Sequence, residues 1–403
     1  CQRAVDRGEV LFELDVGVCW TATAARASAA LQSLDPELLE LLSEATLIAL
    51  HILATASGCP ETELRREHVG LMKASKTETL LDWTAEEMEA LAGSKWQMVA
   101  EELRQDIQAE YGELEEVMEE FLQSYGITSE SFLWAHKLLL SRAMTFVQEG
   151  GSRVMVLGPG QDMFNHSCEA VGQDDVSLEI VDGREMLVIR AFQAFGEGEQ
   201  AFYSYSPASN GRLLLMGGFV IPDNPFDSVE LMLTFPVAAY SAPLFQQLAE
   251  GLQASQQKPG SAVAEETQDE FLQLLPPAPA VPAEAALHVR LTAKSMSSQL
   301  ERVLAFVRLN AVSQSSGAHL DSEKLRASDV DPGARRAALV SLRGLLEQLR
   351  QRYARPLEVD EAELLAPAAP RRQRALQLLV GEQRLLRAAM NMIDEKLKTV
   401  ELL

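Results

Sequence analysis

The spacing of apolar residues changes twice along this chain. Over 1–20, short apolar runs flank polar turns: Val10-Leu11-Phe12-Glu13-Leu14 follows Asp6-Arg7-Gly8-Glu9, where glycine supplies the backbone freedom of a tight turn. This stretch predicts strand, turn and strand. From 31 to 146 the apolar period becomes helical. Leu38, Leu39, Leu41, Leu42, Ala45, Leu47, Leu50 and Ile52 predict one long apolar helix. Thr84, ahead of Glu86 and Glu87, predicts a capped helix start. The acidic stretch 101–120 reads as a helix with one solvated face. Between 154 and 231 the texture is that of strands. Residues 176–181 and 186–189 predict a hairpin around Asp182-Gly183, and a turn at 196–199 precedes a strand at 201–205. Beyond about 233 the chain reads as helical, with amphipathic helices at 290–312, 332–353 and 370–397. Stretches 255–266 and 276–282 carry neither period and read as loop or linker.

Composition narrows the class. The chain has 403 residues, 47% hydrophobic and 23% charged, enough for two or three ordinary domains and incompatible with wholesale disorder. No apolar run approaches the roughly 18 residues of a membrane-spanning helix. Lys and Arg number 35 against 59 Asp and Glu, a net charge of -24. Such a field opposes sequence-independent nucleic-acid binding and suits a basic protein or peptide partner. Cys1, Cys19, Cys59 and Cys168 lack CxxC spacing, which argues against a cysteine-built zinc site and a disulfide scaffold. No His/Asp/Glu cluster has metal-ligand spacing, so no metal is expected. A first residue other than Met leads us to expect a start inside a longer protein.

The chemistry-bearing motifs form an ordered set. Asp162-Met163-Phe164-Asn165-His166-Ser167 comes first, then Gly198-Glu199-Gln200-Ala201-Phe202-Tyr203-Ser204-Tyr205. Ser209-Asn210-Gly211-Arg212-Leu213 and Gly218-Phe219 follow. The set resembles the SET domain of protein methyltransferases, where an Asn-His pair and a later tyrosine build the active site. More narrowly, it is similar to the class typified by the Rubisco large-subunit lysine methyltransferase. That class has a helical insertion within the SET domain and a helical substrate-binding domain after it. Weaker resemblances lie at 7–13, 83–94, 132–135, 141–143, 373–376 and 381–386.

The resemblance implies an α+β fold: SET strands over 1–30 with a truncated start, an α-helical insertion over 31–147, a C-terminal SET core over 148–231, and an all-α substrate-binding domain over 232–403. It implies S-adenosylmethionine as cofactor and methyl transfer to a lysine of a non-histone protein. Tyr205 would be catalytic, its hydroxyl orienting the amine. Asn165, His166, Arg142 and Phe219 would contact the cofactor, the arginine near its carboxylate, and Asp162 would lie near the substrate. Tyr203, Cys168 and the other histidines, His51, His68, His136, His288 and His319, are read as structural or idle.

The chemistry accounts for residues of these kinds. A lysine with a pKa of about 10.4 is neutral in only about one molecule in 2,500 at pH 7. Burial beside a cationic sulfonium lowers that pKa by desolvation and by like-charge proximity. Alignment for in-line displacement then removes much of the entropic barrier, with no metal or covalent nucleophile. Two departures from the class stand out. Its glycine-rich GxG segment is expected just before Cys1. Its second tyrosine, close before the Gly-Phe pair, is absent, and Gly217 directly precedes Gly218-Phe219. Two alternatives therefore stay open: a protein-histidine methyltransferase, and an inactive SET-like scaffold subunit of a larger assembly. Likeness to a plastid enzyme makes the chloroplast the expected compartment, with the cytoplasm as alternative.

Overall fold

The computed structural model describes residues 1–76, 78–148, 152–173, 175–236, 284–297 and 332–401. The chain divides into two compact units, Cys1–Glu89 with Lys95–Val220, and Ala90–Ser94 with Ile221–Leu403.

The first unit opens with β1 (Val10–Asp15) and then runs through helices α1 (Ala22–Arg26), α2 (Pro36–Leu41), α3 (Glu44–Ala56), α4 (Glu63–Ala74), α5 (Ala85–Met88), α6 (Lys95–Ser124) and α7 (Ser129–Arg142). Strands β2 (Met144–Val147), β3 (Arg153–Val156), β4 (Asn165–His166), β5 (Val176–Val181), β6 (Arg184–Arg190) and β7 (Phe202–Tyr203) follow, and α8 (Asn210–Gly217) closes the unit. Strands β1, β6 and β5 form an antiparallel sheet in that order. The expected hairpin is β5–β6: Asp182 (φ 49°) and Gly183 (φ 78°) are both left-handed, the backbone that a two-residue turn of matching twist requires. The strand expected at 201–205 shortens to β7, which pairs parallel with β4. Before the first turn a single bridge, Val5 to Phe195, stands in for the strand expected there.

The long apolar helix expected over 38–52 is two helices. Ser43 ends the first by starting the second: its hydroxyl accepts the Thr46 N–H as an N-cap, which frees the chain to turn at Leu42. Leu41 is left 83% exposed, whereas every residue from Ala45 to Thr55 is buried. α3 is thus the axis of the insertion, packed by α1, α4 and α7. Thr84 caps α5 as expected, in a reciprocal box with Glu87. α6 carries the acidic stretch and buries Leu103, Ile107, Leu114 and Met118 along the opposite face.

In the second unit, β8 (Ser228–Pro236) and β9 (Glu284–Thr292) form an antiparallel ladder from Ser228↔Thr292 to Pro236↔Glu284. This corrects the expectation that the chain is helical throughout beyond about 233, since β9 lies within that stretch. Leu287, Val289 and Leu291 alternate with His288 and Arg290 at period two, a strand signal masked by the helical reading of 290–312. Helical turn resumes only at Met296. The rest of that expected helix, and the linkers at 255–266 and 276–282, lie outside the described residues.

α9 (Pro332–Arg350), α10 (Leu357–Leu364) and α11 (Pro370–Glu401) supply the helical part. The motif Gly381-Glu382-Gln383 on α11 does specific work there. A Cβ on Gly381 would meet Asp227 Oδ2 at 2.5 Å. Buried Glu382 accepts from Ser94 Oγ and Tyr353 Oη, each at 3.0 Å, and Gln383 donates to Asp360 at 3.1 Å.

Candidate active site

The parallel pairing of β4 with β7 creates the site. Asn165 lies opposite Phe202 and His166 opposite Tyr203, so segments nearly forty residues apart in sequence run side by side. Ser167 extends the pairing by donating its N–H to the Tyr203 carbonyl at 3.0 Å. After β7 the chain bends, and the Tyr205 N–H donates to Nδ1 of His166 at 3.0 Å. An acceptor nitrogen carries no proton, so His166 is the neutral Nε2–H tautomer. Burial pushes its pKa down to about 4, which keeps it neutral at physiological pH.

The Tyr205 hydroxyl donates to the carbonyl oxygen of Phe164 at 2.8 Å. That commits its proton and leaves the lone pairs of its oxygen as acceptors. Burial, opposed by the nearby Arg142 charge, raises its pKa, so the phenol is neutral at pH 7. Its ring lies 5.2 Å from His166 and from Tyr203, and meets Phe219 edge to face at 6.5 Å. Phe219 follows the left-handed cap Gly218 of α8. A Cβ at Gly218 would lie 2.0 Å from the Glu78 carbonyl oxygen, and one at Gly217 would lie 2.6 Å from Phe219 Cε1. The departure noted in the sequence therefore has a local use: glycine at 217 leaves the space that the Phe219 ring fills. α8 itself sits against α6, where a Cβ on Gly211 would coincide with the Trp96 indole.

Arg142, the last residue of α7, reaches the same region. Its Nη1 is 2.9 Å from Asp162 Oδ2, and Nη2 donates to Ser75 Oγ at 3.2 Å. Asp162, expected near the substrate, has a buried and paired side chain. Its side chain is 2% exposed, with Oδ2 on Arg142 and Oδ1 facing the Gly160 N–H and His68 Nε2, each at 3.2 Å. Burial alone would raise this carboxyl, but His68 and Arg142 together hold it below the ordinary carboxylate value. A carboxylate so enclosed braces Arg142 rather than offering a free oxygen to a substrate.

Tyr205, His166 and Phe219 are thus in ring contact, and Arg142 and Asp162 form the adjoining ion pair. Asn165 presents an exposed amide at the edge of β4. Tyr203 is structural, as expected: buried, its hydroxyl receives Gln161 Nε2 at 2.5 Å. Cys168 sits 3.7 Å from His166 Nε2, and burial raises its thiol pKa, which keeps it protonated. Sequence reasoning missed Gln161, Ser75, Phe164 and His68. Phe164 acts through its carbonyl, for which no side-chain signal exists, and His68 belongs to α4, nearly a hundred residues from Asp162.

Comparison with known proteins adds to this geometry. Residues 266–386 match the family described as Rubisco LSMT substrate-binding. Two curated relatives from Schizosaccharomyces pombe align in part. Ribosomal lysine N-methyltransferase set10 is 28% identical over 112 residues, 26% of this chain and 19% of that protein. Ribosomal lysine N-methyltransferase set11 is 24% identical over 140 residues, 34% of this chain and 35% of that protein. The chain therefore spans well under half the length of either. Among solved structures, the SET domain of LSMT bound to lysine and AdoHcy superposes with a TM-score of 0.70 at 16% identity, over 100% of this chain and 85% of that one. Rubisco LSMT bound to AdoMet gives a TM-score of 0.68 at 18% identity, over 100% and 86%. The fold of this chain is that fold.

Proposed function

We propose that this chain, which has the fold of the Rubisco LSMT SET proteins and a match to their substrate-binding region, is an S-adenosylmethionine-dependent lysine N-methyltransferase of a non-histone protein. The observation that carries the reading is the double anchoring of Tyr205: main chain on His166, hydroxyl on the Phe164 carbonyl. A phenol oxygen fixed in this way is an oriented acceptor in a half-buried aromatic setting.

The donor set suits a sulfonium cofactor with an amino-acid end. The exposed Asn165 amide can both donate and accept, the Arg142 guanidinium matches a carboxylate, and Phe219 offers an aromatic wall. These residues, with the backbone around His166, would hold S-adenosylmethionine, which when bound supplies an electrophilic methyl group. The chain's own contribution is orientation. The Tyr205 oxygen accepts an N–H of the incoming amine and so aims the nitrogen lone pair. Its neutral phenol does not act as a base, and neither does His166, whose Nδ1 is occupied. The amine must therefore arrive deprotonated, which the apolar rings around Tyr205 favour by disfavouring the ammonium form. Asp162 acts at one remove by holding Arg142.

The second unit would dock the protein substrate, a role supported by the substrate-binding match over 266–386. The net charge of -24 favours a substrate with a basic surface, mainly through encounter rate and orientation. A histidine acceptor is the second reading, favoured by glycine at 217 where the class carries a tyrosine nearby. The test is incubation of the full chain with S-adenosylmethionine and a lysate depleted of small molecules, followed by mass spectrometry that locates added methyl groups. Methyl-lysine in one protein, lost with Tyr205→Phe, is the expected result. Methyl-histidine would move the assignment to the second reading. No transfer together with no calorimetric binding of S-adenosylmethionine would overturn the proposal.

A further inference from the structure

We propose that His68, on insertion helix α4, is the positioning residue of the site: locked as one tautomer by Trp20, it braces Asp162 and through it the Arg142 guanidinium. The functional consequence rests on the methyl-transfer reading above, whereas the relay itself rests on geometry alone.

Four buried or half-buried groups from distant parts of the first unit stand in line. Trp20 Nε1 donates to His68 Nδ1 at 2.9 Å. His68 Nε2 stands 3.2 Å from Asp162 Oδ1 without forming a hydrogen bond, and Asp162 Oδ2 is 2.9 Å from Arg142 Nη1. An indole N–H can only donate, so Nδ1 of His68 must be bare and the ring proton must sit on Nε2, facing the carboxylate. The tautomer is decided by Trp20, not by solvent. His68 is 4% exposed, Trp20 0%, and the Asp162 side chain 2%, so these three members are shielded from water, while the Arg142 side chain is 17% exposed.

Trp20 is itself clamped. Its N–H and carbonyl both bond Leu157, at 2.9 and 3.0 Å. The Arg65 guanidinium lies 5.5 Å over its ring, and His51 meets it edge-on at 4.9 Å. Arg65 in turn donates to the carbonyls of Gly17, Val18 and Cys19, just ahead of the indole. The rotamer that aims Nε1 at His68 is therefore fixed on several sides. At the other end, a buried carboxylate facing one cation with one oxygen needs a donor for the second. The Gly160 N–H fills that need, and His68 Nε2 lies 3.2 Å from the same oxygen without a hydrogen bond. Without His68 the carboxylate keeps Gly160 and Arg142 but loses the imidazole that packs against Oδ1, and the orientation in which it meets Arg142 is less restricted.

The experiment is calorimetric titration of the full chain with S-adenosylhomocysteine, paired with imidazole nitrogen NMR of the ligand-free protein. His68→Leu is expected to weaken binding about tenfold, while His68→Gln, which keeps one acceptor and one donor, stays within about threefold. In an Arg142→Lys background the His68→Leu loss is expected to shrink below about threefold, because no planar fork remains to be oriented. Unchanged binding in folded His68→Leu, or equal losses in both backgrounds, would overturn the proposal. Should His68→Leu fail to fold, Trp20→Phe replaces it, with weaker binding expected and unchanged binding overturning. The NMR arm needs no ligand: the Nε2–H tautomer at neutral pH supports the relay, and an Nδ1–H ring or an imidazolium sinks it. A parent chain that binds no S-adenosyl compound refutes the proposed function, and the NMR result then judges the relay separately.

Discussion

The main-chain N–H of Tyr205 donates to Nδ1 of His166 at 3.0 Å, which makes the two residues one hydrogen-bonded unit. The imidazole serves as a backbone acceptor, so its protonation state is a property of the site's geometry.

Acid should therefore loosen this region before it titrates the carboxylates. Burial lowers the pKa of His166 from 6.5 to about 4, and that of His136 likewise. The unfolded chain takes up protons between those values that the folded chain refuses, so stability is complete above about 6.5 and falls as pH drops toward 4. Urea unfolding at pH 7 and pH 5 should show a lower midpoint at pH 5, and His136→Leu should reduce the difference. Identical midpoints would refute the assignment.

Tyr205→Phe removes the hydroxyl and leaves the ring contacts and the backbone bond to His166. Turnover should fall by about two orders of magnitude or more, with cofactor affinity within about twofold. Equal turnover in both proteins would end the catalytic role of Tyr205. Asn165→Ala should do the reverse, weakening cofactor binding by about tenfold in calorimetry because an exposed amide at the edge of β4 is lost.

Gly217→Ala places a methyl group where the Phe219 ring now lies, 2.6 Å from Cε1. On an ordinary helix this exchange stabilises by roughly 0.5–1 kcal/mol. Here the ring must move, so the expected outcome is no gain in Tm together with a raised KM for the methyl acceptor. A higher Tm with unchanged kinetics would show that Phe219 does not wall the site.

In the second unit, Glu382→Ala removes the acceptor that Ser94 and Tyr353 share in a buried setting. A loss of about 2 kcal/mol in denaturant unfolding is expected, with Glu382→Gln losing less because one acceptor oxygen remains. Equal losses would mean that the hydrogen bonds are not what Glu382 contributes.

Local signals in the sequence were read well where each residue answers to its neighbours. The Asp182-Gly183 hairpin and the Thr84 cap depend on a few adjacent residues, and both are present. Reading failed where one residue changes its neighbours' meaning. Ser43 splits an apolar run into two helices, and the period-two alternation around Val289 was overrun by a helical reading. The order of motifs pointed to Asn165, His166, Tyr205, Arg142 and Phe219, and the structure brings Tyr205, His166 and Phe219 into ring contact.

What the sequence determined by itself was the set of residue types, their order and the class of fold. Only the tertiary structure decided which groups meet. Asp162 faces inward because burying a carboxylate requires donors on both oxygens, and those donors are Arg142 of α7 and the Gly160 N–H, with His68 of α4 3.2 Å away. The Tyr205 proton goes to Phe164 because parallel pairing of β4 with β7 sets a carbonyl within 2.8 Å of the phenol. Hydrogen bonds are short-ranged and directional, so partners separated by tens of residues leave no trace in local spacing. Periodicity records how a segment meets its surroundings; the partners of a buried polar group are chosen only when the segments pack.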